Sequence, residues 1–164
     1  MSSINWLSNS QLENLVERYG DDETKAAFLG VFPINQLPTE VKDYPVLLIV
    51  NTQAHNLGGE HWFSIFISKQ RRRGEVFDSA RQPTDIRLMR WLNRFANQWR
   101  RNQLIYQTPF SPICGAYALY FVLNRLHQPS MKEVLLPQKL NYHPINDSFI
   151  KEWFEKLTSH AKHV

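Results

Sequence analysis

Cysteine occurs once in the 164 residues, at Cys114, so no intramolecular disulfide can form and no thiolate zinc cluster can assemble. Nowhere does the chain reach the roughly 20 consecutive apolar residues that a membrane-spanning helix needs. Its longest apolar runs, Tyr44 to Val50 and Ala116 to Leu123, are the size of core elements. The start, Met1-Ser2-Ser3-Ile4-Asn5-Trp6, lacks the basic residues and long apolar segment of a secretory leader. The expectation is an intracellular protein with no membrane partner. Also missing are Gly-x-Ser-x-Gly, a Gly-rich phosphate loop and His-Glu-x-x-His. His160 and His163 sit in a polar tail and not in a ligand pattern, so no metal is expected. With no internal repeat, linker or low-complexity tract, residues 1–164 read as a single domain.

Hydrophobic residues make up 43% of the chain and aromatic ones 13%, enough to bury a core without staples. The formal charge is +4, but it is unevenly spread. Between Lys69 and Arg101 stand ten basic residues against Glu75, Asp78 and Asp85. Arg71, Arg72, Arg73, Arg87, Arg90, Arg94, Arg100 and Arg101 could meet the phosphates of DNA without reading its sequence. A solvated helix face is the simpler account of the same residues.

A first helix is expected over Gln11 to Gly20, capped by Ser8 to Ser10. Prolines 33, 38 and 45 then predict loops, with a helical turn around Glu40. Val46 to Val50 reads as a buried strand, His61 to Ser68 as a second and Glu75 to Asp78 as a third, joined antiparallel. Thr84 to Trp99 has the strongest amphipathic helical pattern, with Ile86, Leu88, Met89, Leu92, Phe95, Ala96 and Trp99 inward. A short strand at Gln103 to Tyr106, a proline-constrained loop, a buried helix from Cys114 to Leu126 and a last helix from Ile145 to Thr158 complete the reading.

The chemistry gathers at four residues. Cys114 begins a buried helix, where unpaired N–H groups and the helix dipole favour an anion, so its thiol is expected to ionise readily. A solitary cysteine is otherwise a small core residue. His61 opens a strand directly after Gly58-Gly59-Glu60, with room for its ring to meet a nucleophile. Asp78 ends the neighbouring strand, where a hairpin would bring its carboxylate to that imidazole and fix its tautomer. The plainer role for Asp78 is to start a turn. Gln107 precedes Cys114 by seven residues and can offer an amide donor to a developing oxyanion.

Phe28-Leu29-Gly30-Val31-Phe32-Pro33, Ile49-Val50-Asn51-Thr52, Gly58-Gly59-Glu60-His61-Trp62, Val76-Phe77-Asp78 and Gln107 with Ser111-Pro112-Ile113-Cys114-Gly115 together resemble the adenovirus maturation protease, adenain, and its relatives in virus-like transposons and virophages. The seventeen-residue step from His61 to Asp78 adds to the likeness. More distantly the chain is similar to proteases of ubiquitin-like proteins. The resemblance implies an α+β, papain-like fold with a central mixed or antiparallel sheet packed by helices and the nucleophile at the N-terminus of a buried helix. It implies a cysteine endopeptidase: Cys114 attacks, His61 shuttles the proton, Asp78 orients it, and Gln107 builds the oxyanion hole. Gly58, Gly59, Glu60 and Trp62, with Gly115 beside the nucleophile, would line a narrow channel for small residues. The substrates would be structural precursors cut at Gly-containing motifs during particle maturation, in a host nucleus or viral factory and in the virion.

Two departures from that family matter. Adenain carries glutamate where this chain has Asp78, the residue used by the ubiquitin-like-protein proteases. Adenain is also stimulated by DNA and by a disulfide-linked viral peptide. With Cys114 as the only thiol, a peptide activator here would be non-covalent, and no cofactor is expected for the chemistry itself. A monomer is expected. The first rival reading is a protease that removes ubiquitin or a ubiquitin-like modifier, and the second is a non-enzymatic nucleic-acid-binding module.

Overall fold

The computed structural model describes residues 3–53, 60–135, 137 and 143–160. In chain order these form α1 (Asn9–Tyr19), α2 (Asp22–Ala27), β1 (Phe28–Pro33), β2 (Val46–Gln53), β3 (Glu60–Ile67), β4 (Arg73–Phe77), α3 (Ile86–Phe95), β5 (Gln98–Arg101), α4 (Cys114–Asn124), α5 (Met131–Leu135) and α6 (His143–His160). The strands make one mixed sheet in the order β1-β2-β3-β4-β5. β2, β3 and β4 are antiparallel neighbours, while β1 lies parallel to β2 and β5 parallel to β4.

Alternation along the central strands sorts their side chains to two cores. Leu47, Ile49, Trp62, Phe66 and Phe77 join the cluster built around α4. Val46, Leu48, Val50, Phe63, Ile65, Ile67 and Val76 join the one that includes Leu88, Trp91 and Leu92 of α3. Both faces of the sheet are thus covered, which is why β2 reads as an unbroken apolar run. Helix α4 is buried at every position from Cys114 to Leu123, so it lies within the first core and not upon it.

The three-stranded antiparallel set, the first helix, the buried helix and the last helix stand where the sequence puts them, within a few residues. Several expectations fail. Phe28–Pro33 is a strand and not a loop: its Gly30 has φ of 134° beside a register shift, and Pro33 closes it, so turn-like residues here mark a bulge and a strand end on a sheet edge. The short helical turn falls at Ile34–Gln36, not around Glu40. The amphipathic helix ends at Phe95, and the next strand is Gln98–Arg101 rather than Gln103 to Tyr106. Asn97 N–H donates to Arg72 O at 2.9 Å and turns the chain onto β4. Ile86, expected inward, is exposed, and Trp99 instead joins the edge strand with Nε1 donating to Asn93 Oδ1 at 2.9 Å. Ala96 and Trp99 stand three apart, which is a helical spacing, and pairing with β4 overrides it.

Candidate active site

The seat of Cys114 depends on its neighbour. Gly115 lies so close to β3 that a Cβ there would stand 3.1 Å from Trp62 Cδ1 and 3.3 Å from Leu7 Cβ. Only glycine permits that approach without movement. Trp62 is itself fixed, its Nε1 donating to Leu7 O at 3.0 Å, and Trp6 N–H donates to Pro112 O at 3.0 Å. The first turn of α4 has no side-chain cap at Ile113, leaving its leading N–H groups for whatever stands in front of the helix. Cys114 is buried at that end.

His61 directly precedes Trp62 on β3. Its Nε2 meets Asp78 Oδ1 at 2.7 Å, with both side chains buried. In the hairpin register Phe77 lies opposite Ser64, so the two reach each other diagonally just beyond the paired strands. Burial on its own would lower the proton affinity of the ring. The hydrogen bonds that the ring donates to Asp78 and to the Cys114 side chain, with the charges of those two groups, outweigh it and raise the His61 pKa to about 9. Because Nε2 is engaged by Asp78, Nδ1 is the ring nitrogen left to face the sulfur.

Asp78 is held from several sides. Its Oδ1 also accepts from Ala80 N and Arg81 N, both at 3.0 Å, and Oδ2 from Gln82 N at 3.1 Å. Turn-starting and histidine-orienting, weighed as alternatives from the sequence, are performed by one carboxylate. Asn102 clamps its main chain, with Oδ1 accepting from Asp78 N at 2.9 Å and Nδ2 donating to Asp78 O at 2.7 Å. Arg101 Nη2 stands 3.8 Å from Asp78 Oδ2, while its guanidinium donates to Thr84 Oγ1 and Gln82 O at 2.7 and 2.6 Å.

Gln107 is buried beside this turn. Its Oε1 accepts from Ser79 Oγ at 2.6 Å and its Nε2 faces Ser111 O at 3.4 Å, on the loop leading to Cys114. Helix α6 secures the same loop. Asp147 Oδ1 accepts from Tyr117 OH at 2.7 Å and from Thr108 N at 3.3 Å, and Asn146 Nδ2 donates to Tyr106 O at 3.2 Å. Burial first, and then the Asp147 carboxylate, push the Tyr117 hydroxyl pKa far up, so it remains a donor.

The structure therefore gathers His61, Asp78 and Cys114 at one point, with Gln107 on the loop before the nucleophile. Other predicted site residues are distributed differently. Gly58 and Gly59 lie outside the described residues, and of Glu60 only the backbone, opening β3, is described. Trp62 and Gly115 are not channel-lining: Trp62 is 2% exposed, and both pack in the interior, where they seat the helix. Among the arginines, Arg101 is drawn inward to the Asp78 turn, and Arg87 forms a two-pronged pair with Asp85 at 3.0 and 2.8 Å. Arg72 stacks on Tyr44 and Arg94 on Phe95. Arg71, Arg73 and Arg100 line a groove of about 480 Å³ with Gln98 and Ser130, while Arg90 is exposed on α3. Ser79, Asn102 and Asp147 went unnoticed in the sequence. Ser79 had one available signal, its place directly after Asp78; the others had none, because their partners are distant along the chain.

The sequence model of the Ulp1 protease family, C-terminal catalytic domain, matches residues 41–160. No curated protein matches the chain. Two crystal structures of the African swine fever virus protease superpose on it at 16% identity, with TM-scores of 0.61 and 0.59. They cover 91% and 85% of this chain and 66% and 65% of the viral one. ChlaDub1 from Chlamydia trachomatis superposes at 14% identity and a TM-score of 0.54, over 73% of this chain and 61% of its own. The chain spans just under two thirds of the length of these proteins. At such identities the likeness is one of fold.

Proposed function

Because the chain belongs to the Ulp1 protease family, we propose that it is a cysteine endopeptidase with Cys114 as nucleophile, His61 as acid and base, Asp78 as the group orienting the imidazole, and Gln107 as an oxyanion donor. The observation that carries this reading is the buried His61–Asp78 contact at 2.7 Å on a ring that also bonds the Cys114 side chain. A ring held towards its protonated form suits His61 as the acceptor of the Sγ proton. Sγ bonds the peptide carbonyl carbon, and the carbonyl oxygen takes the negative charge. Gln107 Nε2 and the leading N–H groups of α4 stabilise that charge. Collapse breaks the C–N bond as His61 gives its proton to the leaving amine. Water then gives a proton to His61 and its oxygen to the acyl carbon, releasing the carboxylate and restoring the sulfur.

The substrates are structural precursor proteins of a virus or virus-like element, cut at Gly-containing motifs. This follows from the resemblance to adenain and agrees with the fold shared with a viral protease. The enzyme acts as a monomer in the host nucleus or viral factory and in the virion. DNA held by Arg71, Arg73, Arg90 and Arg100 and a non-covalent peptide serve as activators. A second reading, removal of a ubiquitin-like modifier, is favoured by the family itself and by Asp78 in place of glutamate.

The test pairs the protein with its Cys114→Ala variant. Cleavage of Gly-containing precursor peptides and labelling by a thiol-reactive peptide probe are expected in the parent and lost in the variant; undiminished cleavage by the variant would falsify the assignment. Turnover of ubiquitin-like fusions, with none of the precursor peptides, selects the second reading.

A further inference from the structure

Ser79 takes no part in the proton transfers above, yet it is 2% exposed and bonded on both sides. Its hydroxyl donates to Gln107 Oε1, and its carbonyl accepts from Tyr106 N and Gln107 N at 2.8 and 3.2 Å. A glutamine amide has two orientations of nearly equal shape and opposite chemistry. In the one adopted here, Nε2 faces the carbonyl oxygen of Ser111. Turning the amide over would set Oε1 against that oxygen and deprive the Ser79 O–H of the acceptor it now has in Oε1. With Gln107 only 4% exposed, no bulk water would compensate those losses.

We propose that Ser79 is a positioning residue that locks the Gln107 side chain with its N–H donors towards the oxyanion formed when Cys114 attacks. The proposal rests on the protease reading. Neighbouring residues leaving a strand send their side chains to opposite sides. Asp78 therefore serves the imidazole while Ser79 serves the glutamine, and a single dipeptide after β4 aligns both the proton-transfer and the charge-stabilising parts of the site.

The test compares Ser79→Ala, Ser79→Thr, Gln107→Ala and the Ser79→Ala/Gln107→Ala pair on a fluorogenic peptide amide ending in Gly-Gly. Alkylation of Cys114 by iodoacetamide is followed in parallel. Displacement of iodide at a saturated carbon forms no oxyanion, so it reports the sulfur alone. Loss of a whole oxyanion donor costs on the order of 10²–10³ in kcat, so a misaligned one in Ser79→Ala should cost about 10-fold, with KM within about twofold. The iodoacetamide rate should hold. Ser79→Thr should keep most of the activity, and the pair should be no worse than Gln107→Ala alone. An unchanged kcat in Ser79→Ala, the same loss with and without Gln107, or a parallel fall in alkylation would each overturn the proposal.

A measurement free of turnover separates this idea from its premise. The Gln107 side-chain amide should give one sharp pair of proton–nitrogen resonances in the parent and a shifted or broadened pair in Ser79→Ala. Unaltered resonances overturn the locking role. Resonances altered in Ser79→Ala, in a protein whose parent hydrolyses neither peptides nor ubiquitin-like fusions, leave the lock standing and remove the protease reading instead.

Discussion

Asp78 shows how much one carboxylate can carry. Its two oxygens accept three backbone N–H groups of the following turn as well as the imidazole, so the geometry that closes the turn also aims the charge. Asp78→Asn keeps the shape but removes the charge beside His61 and sets an amide NH₂ against the N–H of Gln82. The expected result is a His61 pKa well below about 9, read by NMR titration, and a fall in kcat of about 10²- to 10⁴-fold. Stability should follow. The His61 pKa is raised above its unfolded value of 6.5, so its contribution is complete below that value and drains away as pH rises through about 9. Urea midpoints measured from about pH 6 to about pH 10 should decline in the parent, and the His61 share of that decline should vanish in Asp78→Asn.

At this scale Cys114, His61 and Asp78 could be picked from sequence because each has a reactive or polar type at a telling place: a helix start, a strand start and a strand end. Gln107 lies in a loop and is marked only by its seven-residue step to Cys114. Asn102 has no such mark. It is an ordinary polar residue whose meaning comes from lying across the sheet from a residue twenty-four positions away. Trp62 misleads for the opposite reason, since adjacency to His61 suggests substrate contact while strand alternation sends it into the core.

Among the elements, α4 is the one whose position sets everything else. Its approach to β3 is limited by the space at Gly115. Gly115→Ala should push the helix start off Trp62 and Leu7, cost about 1–3 kcal/mol in urea unfolding, and reduce alkylation of Cys114 as well as cleavage. That pattern differs from Ser79→Ala, where alkylation holds. Helix α6 acts on the same loop from the other side. Asp147→Ala leaves the Tyr117 hydroxyl only the Tyr106 carbonyl at 3.2 Å and takes the acceptor from Thr108 N–H, and should cost about 1–3 kcal/mol by the same measurement. The course of α3 and β5 shows where periodicity stops being informative. Ala96 and Trp99 stand three apart, the spacing of a helix face, and pairing with β4, a long-range fact, chooses the strand.

For the molecule as a whole, charge is sorted by depth. Glu75 and Arg125 form a buried two-pronged pair at 2.7 and 3.0 Å beneath the groove that Arg71, Arg73 and Arg100 line. Arg125 also lies over the Phe66 ring at 4.2 Å. Arg125→Ala leaves Glu75 buried without its partner and should destabilise the protein by about 3–5 kcal/mol in urea titration, whereas removing both charges with apolar replacements should cost far less. Neutralising Arg71, Arg73 and Arg100 together should leave stability nearly unchanged and flatten the salt dependence of DNA binding by about three phosphate contacts. A parent affinity that does not vary with salt would remove DNA from the partners.

The amino-terminal stretch has a part out of proportion to its chemistry. Leu7 offers its carbonyl to Trp62 and its side chain to the underside of Gly115, while Trp6 ties back to the loop at Pro112. These residues act as an abutment for the helix that bears the sulfur. A cut between Leu7 and Ser8 would therefore disarm the protein while leaving every reactive atom chemically intact.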